Sequence, residues 1–142
     1  MRRTIATILL LVGYGLSSTI AQDTATAEPD FNFVYQYGTR IDKYNTKAAA
    51  QFFDNPTAFT GKTIRIIARL AAGGQLRATV GYNVKFIGFT EAPMEFFFVT
   101  IPRELDVPNI SEYGDPVIIT FRCEQGRLDQ GNVALSIVRA NR

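Results

Sequence analysis

The sequence predicts a mainly β domain, five antiparallel strands behind one short helix, and three observations carry that expectation. From Thr63 onward apolar and polar residues alternate with the period of two that marks half-buried strands. Segments bearing Gly, Pro and Asn cut that region into five runs of six to eight residues. Upstream, a single alanine-rich stretch lies between a capping Asn or Thr and a Pro, the start and stop signals of a helix.

The chain opens with Met1-Arg2-Arg3, a positive start, followed by an apolar run from Ile5 to Leu16 and small residues from Ser17 to Ala21. These are the three parts of a secretory signal, in order, so residues 1–21 are expected to be a signal peptide cleaved before Gln22. The apolar run is about a dozen residues where a bilayer span needs ~20, and no stable membrane span is expected after cleavage. No Cys follows the run to accept a lipid. The expected address is export, with the periplasm and the extracellular medium both open.

Cleavage changes the charge argument. Of 15 Lys and Arg, Arg2 and Arg3 leave with the signal, so 13 remain against 13 Asp and Glu. A general nucleic-acid binder draws affinity from phosphate neutralisation and shows a basic excess, which this mature chain lacks. Charge is nonetheless uneven: eight basic residues face Asp42 and Asp54 between Arg40 and Lys85, and seven acidic residues face Arg103 and Arg122 between Phe86 and Glu124. The plainer reading of both runs is a solvated surface. About 120 mature residues suffice for one core and not two. The lone Cys123 excludes an internal disulfide and, in step with Val117, Ile119 and Phe121, reads as a small buried hydrophobe.

Residues 22–44 are expected to be a flexible leader and entry segment, Gln22 to Asp30 being small, polar and acidic. The helix is expected from Asn45 to Phe53, with Phe52 or Phe53 docking it on the core before Asn55-Pro56. In the first strand, Thr63 to Leu70, Ile64, Ile66, Ala68 and Leu70 face inward and only Ile67 breaks the alternation. Gly73-Gly74-Gln75 is expected to turn the chain into a second strand, Tyr82 to Phe89, where Gly88 marks a bulge or tight bend. Thr90 to Pro93 closes a hairpin to the third strand, Met94 to Ile101, which is apolar on both faces and so calls for a cover on its outer side. Pro102 to Pro116 is a crossing connection with room for one helical turn near Ser111 to Tyr113. The fourth and fifth strands, Val117 to Cys123 and Val133 to Val138, flank a loop rich in Gly and Gln.

Two local patterns then carry a resemblance. Phe59-Thr60-Gly61-Lys62-Thr63-Ile64-Arg65-Ile66 follows the helix, and Tyr113-Gly114-Asp115-Pro116-Val117-Ile118-Ile119 precedes the last hairpin. With the longest connection falling between strands three and four, the chain from Thr46 to Arg139 resembles exported bacterial OB-fold domains of the tRNA-anticodon-like kind. The resemblance implies an OB-like Greek-key barrel over residues 45–142. One departure is Ala68, which stands where such domains often carry a glycine in a strongly bent first strand.

OB-folds commonly bind oligonucleotides or oligosaccharides on the face of strands two and three with the adjoining loops. Carried over, that surface would take Tyr82, Lys85 and Phe97 from the strands, Gln75 and Arg77 from the first loop, and Gln125, Arg127 and Gln130 from the last. Each has a plainer competing reading. Aromatic residues at strand spacing build cores, and Arg77, Lys85 and Arg127 are ordinary solvated charges.

The sequence has no histidine and a single cysteine, which removes the commonest general base and leaves a zinc site without ligands. No phosphate-cradling Gly loop, nucleophile elbow or calcium loop is present. Glu91, Glu95, Glu104, Asp106, Glu112 and Asp115 follow no spacing that would gather them round an ion. The expectation is therefore not an enzyme, with no cofactor and no metal. It is an exported binding domain, a protein-interaction or envelope-associated module in which the apolar outer face of Met94 to Ile101 or an open barrel edge meets a partner, with a protein partner favoured over an oligonucleotide or glycan. Binding of single-stranded nucleic acid or oligosaccharide on the strand two–three face is the alternative.

Overall fold

The computed structural model describes residues 28–37, 40–77, 81–92, 94–111 and 113–140; the expected signal peptide at 1–21 and residues 22–27 of the leader lie outside them. The entry segment up to residue 44, for which the sequence predicts no strand, contributes three short strands: β1 (Phe31–Asn32), β2 (Val34–Tyr37) and β3 (Arg40–Tyr44). Two to five residues are too few for alternation to be read in a sequence, which is why this segment carried no strand signal. The Asp30 carboxylate accepts a hydrogen bond from the Thr63 amide at 2.9 Å and starts the docking.

Helix α1 (Thr46–Asp54) begins where the sequence places it, because the Asn45 side chain accepts a bond from the Ala48 amide at 3.0 Å and satisfies one orphan donor of the first turn. It stops at Asn55, where Pro56 opens a 3-10 turn over Pro56–Phe59. Ala49, Phe52 and Phe53 lie on one face at helical spacing and are buried. The Phe52 ring meets Phe97 at 6.3 Å and Phe121 at 5.5 Å, and the Phe53 ring meets Phe97 at 5.6 Å. Both aromatics therefore dock, and α1 packs on inward-facing side chains of two different strands. Burying each such ring contributes about 1.5–3 kcal/mol.

Five strands close into a barrel: β4 (Lys62–Arg77), β5 (Gly81–Gly88), β6 (Glu95–Pro102), β7 (Val117–Cys123) and β8 (Asn132–Arg139). They pair in the ring order β4-β5-β6-β8-β7, and β7 returns to β4, which is consistent with an OB-like fold. The ring is mixed rather than purely antiparallel, since β6 and β8 run parallel where Thr100 meets Val133. This follows from number alone: an odd count of strands cannot alternate direction all the way round a closed ring, so a parallel contact is required. Ala68 is the position where β4 changes partners, pairing with Val117 of β7 and with Gly88 of β5. A small side chain suffices there, fully buried.

Gly73-Gly74-Gln75 is not the turn that the sequence suggested, because β4 continues through Arg77. The pairing of β4 with β5 instead shifts register between Leu70 and Gln75, so the glycines sit in a strand irregularity, a usual place for them. The connection to β5 falls at 78–80, outside the described residues. Gly88 has a different reason from the expected bulge. A β-carbon built there would lie 2.3 Å from Cζ of Phe53, so the strand is kept bare to admit the ring.

Alternation holds inside the barrel, where Ile64, Ile66, Ala68 and Leu70 join Val84, Phe86, Phe97, Val99, Ile119 and Phe121 in the main core. Ile67 points the other way and is nonetheless only 6% exposed. It belongs to a second, smaller core with Val34, Ile118 and Ala140, packed also by Ile41, Tyr44 and Phe89. The antiparallel ribbon of β2 and β3 thus covers the outer face of β4 and β7. That is the physical reason why both Ile66-Ile67 and Ile118-Ile119 break the period of two. The cover expected over Met94 to Ile101 lies over β4 and β7 instead.

The described residues of the connection from 103 to 116 hold turns and bends, and Leu105, Val107 and Ile110 pack it on the core; the helical turn expected near Ser111 to Tyr113 includes residue 112, which lies outside the described residues. Among the described residues no helix is long and apolar enough to cross a membrane.

Candidate binding face on the outer side of β5 and β6

The antiparallel register of β5 and β6 puts Asn83 opposite Thr100, Lys85 opposite Phe98 and Ile87 opposite Phe96. Their neighbours Val84, Phe86, Phe97 and Val99 are buried in the barrel, so the first set faces outward. Phe96 is 38% exposed and Met94, just ahead of the strand, 65%. The Lys85 ammonium sits 4.3 Å from the Phe96 ring centroid, a diagonal cross-strand contact of cation and aromatic face. On the adjoining strand, Arg69 pairs with Ile87, and its guanidinium lies 5.1 Å over the ring of Phe89. The face is therefore an apolar ridge of Ile87, Met94, Phe96 and Phe98 with two cations pinned over aromatic rings.

One flank is formed by the loop between β7 and β8. The Phe98 amide donates to the Leu128 carbonyl at 2.8 Å. Buried Asn132 donates through Nδ2 to the carbonyls of Phe98 at 3.0 Å and Arg127 at 2.9 Å, clamping the loop to β6. Gly126 takes a positive φ of 64°, and a β-carbon there would lie 2.3 Å from the Thr60 hydroxyl oxygen, so the loop also seats on the end of the 3-10 turn.

Of the eight residues carried over from the sequence, Lys85 lies on this face. Phe97, one position away from two outward aromatics, is fully buried among Phe52, Phe53, Phe86 and Phe121, and no side of its ring is open to a ligand. Gln125, Arg127 and Gln130 are in the flanking loop, but their polar groups are taken up by partners within that loop. Gln130 donates to Gln125 at 3.1 Å, and Arg127 holds Asp129 through two bonds of 2.9 and 2.8 Å. The guanidinium keeps the Asp129 carboxyl below its usual range and is itself neutralised by the pair. The backbone of Gln75 and Arg77 is in β4 opposite Val84 and Tyr82; the side chains of Gln75, Arg77 and Tyr82 lie outside the described part of the structure.

Sequence reasoning marked the outer side of Met94 to Ile101 as apolar but did not settle which of Phe96, Phe97 and Phe98 faces it, and it did not single out Ile87. Three consecutive phenylalanines have no alternation to show which face each takes. The signal was in the hairpin: a turn centred between Glu91 and Ala92 sets Lys85 opposite Phe98, and a lysine on a strand faces water.

Among the described residues no group of three or more His, Cys, Asp or Glu side chains is placed to hold a metal ion. Cys123 is buried and its thiol pKa is pushed up, first by desolvation, which disfavours the thiolate. No family model, curated protein or solved structure matches the chain.

Proposed function

We propose that this chain is an exported, non-enzymatic binding domain, akin to the tRNA-anticodon-like OB-fold domains that it resembles, and that it engages a protein partner through the outer face of β5 and β6. One observation carries the reading. The β2–β3 ribbon covers the outer face of β4 and β7, whereas the face next to it keeps Met94 and Phe96 in contact with water. Exposed apolar side chains gathered on a rigid sheet and rimmed by charge mark an interaction surface. Fixed cross-strand register holds the ridge in place, so little ordering entropy is lost on docking. Export rests on the signal-like residues 1–21.

A second reading has its own support in Lys85 over Phe96 and Arg69 over Phe89. Ring faces next to cations suit a single-stranded nucleic acid or a glycan. Salt separates the two. Apolar docking survives a rise from low to moderate ionic strength and is lost in Phe96→Asp. Polymer binding weakens steeply with salt and is lost in Lys85→Glu. Binding of the co-purified partner, measured for both variants across a salt series, tests the proposal, and a steep salt dependence overturns the protein reading.

A further inference from the structure

Next to β6 in the ring, β8 is paired along the full length of one edge and at a single point on the other. It meets β7 from Asn132 to Arg139, but on its other edge a single residue, Val133, meets β6 at Thr100. From Ala134 to Val138 that second edge has no strand beside it among the described residues. The facing wall is the connection after β6, and the bond recorded between connection and strand runs from the Arg139 guanidinium to the Asn109 carbonyl. Between them runs a groove of about 470 Å³, lined by Leu105, Asp106 and Pro108 on one side and by Leu135 to Arg139 on the other. The Thr100–Val133 pair ends it at one end and the Arg139–Asn109 bond at the other. Its volume falls in the range of ligand sites, about 300–1,000 Å³.

The register of β8 on β7 shifts between Thr120 and Phe121, which leaves Leu135 as an extra residue opposite the ladder. Such a bulge bends a strand and re-aims a side chain, and Leu135 lines the groove.

We propose that this groove accepts an extended polypeptide segment as an added strand along β8. An open strand edge presents N–H and C=O groups at every second residue, and an extended peptide backbone is the ligand whose own groups repeat at that spacing. The charge on the walls narrows the class further. Asp106 stands on the connection side, and Arg139 is held at the end by Asn109. The segment that fits carries apolar or small residues with one basic side chain level with Asp106. This surface is separate from the β5–β6 face, and the two readings stand or fall independently.

The experiment titrates two capped hexapeptides of alternating valine and threonine, one with lysine and one with glutamate at the third position, into the ¹⁵N-labelled protein. Saturable amide shifts confined to Leu135–Val138 and the facing Leu105–Pro108 segment are expected. The lysine peptide should bind about threefold tighter, the scale of an exposed ion pair, and Asp106→Lys should invert that order. Methylating alternate peptide nitrogens on the bonding edge should weaken binding about tenfold, as loss of backbone bonds requires. Shifts mapping to β5 and β6, indifference to methylation, an unchanged order in Asp106→Lys, or no saturable shift with either peptide would each overturn the proposal.

Discussion

Gly88→Ala is the sharpest test of how α1 seals the barrel. The new methyl would sit 2.3 Å from Cζ and 2.8 Å from Cε2 of Phe53, against an ordinary carbon–carbon contact of about 3.5–4.0 Å. The ring tip must retreat by more than about 1 Å. It has little room, because the Phe52 centroid is 5.2 Å away and the Phe97 centroid 5.6 Å. Overpacking of this kind costs about 1–3 kcal/mol, offset by about 0.5–1 kcal/mol from replacing a strand glycine by alanine. A net loss of about 1–2 kcal/mol lowers the urea midpoint by roughly 0.5–1 M at an unchanged slope. The control is Phe53→Leu, which removes the Cε and Cζ atoms that clash. On that background Gly88→Ala should be neutral or slightly stabilising, a coupling of about 1–3 kcal/mol. Equal costs on both backgrounds would show that the ring is not what excludes the side chain.

Three further outcomes are expected. Asn132→Leu leaves the Phe98 and Arg127 carbonyls without their side-chain donor and should cost about 1–3 kcal/mol in chemical denaturation, with faster amide exchange at Phe98 as the loop loosens. Cys123, buried and with its thiol pKa raised, should resist alkylation in native buffer at pH 8 and react at a rate that tracks unfolding as denaturant is added. Asp129 has a carboxyl pKa lowered by Arg127, so its small contribution is present above the ordinary carboxylate value and disappears as pH falls through the lowered one. In Arg127→Gln a carboxyl-detected NMR titration should find Asp129 moved back up toward the ordinary carboxylate value.

The barrel was legible in the sequence because its inward residues alternate, as Ile64, Ile66, Ala68 and Leu70 do, and because Asn45 and Pro56 bracket α1. What escaped has particular causes. Ile67 broke the alternation, and both it and Ile118 find their place only under β2 and β3, strands too short to announce themselves. The Gly73-Gly74 pair reads as a turn by composition, yet the register of β5 on both its neighbours carries β4 past it. The candidate face was found at the level of strands and lost at the level of side chains. In Phe96-Phe97-Phe98 a one-residue choice decides between core and surface, and local composition cannot make that choice. Gln75 and Arg77, expected in the first loop, are in β4; Gln125, Arg127 and Gln130 do lie in the last loop, but the pairing of Arg127 with Asp129 and of Gln125 with Gln130 is a tertiary outcome of the tight loop that Asn132 clamps.

The exposed ridge on β5 and β6 is the surface proposed to meet a protein partner. Replacing Phe96 by a photo-crosslinking amino acid in the native host tests it most directly, with Tyr35, 51% exposed on the β2–β3 ribbon, as the comparison position. The account predicts one discrete protein adduct from position 96, absent from position 35 and lost when Met94→Asp is added. Adducts of equal yield from both positions, or an adduct at 96 made of nucleic acid or glycan, would contradict it.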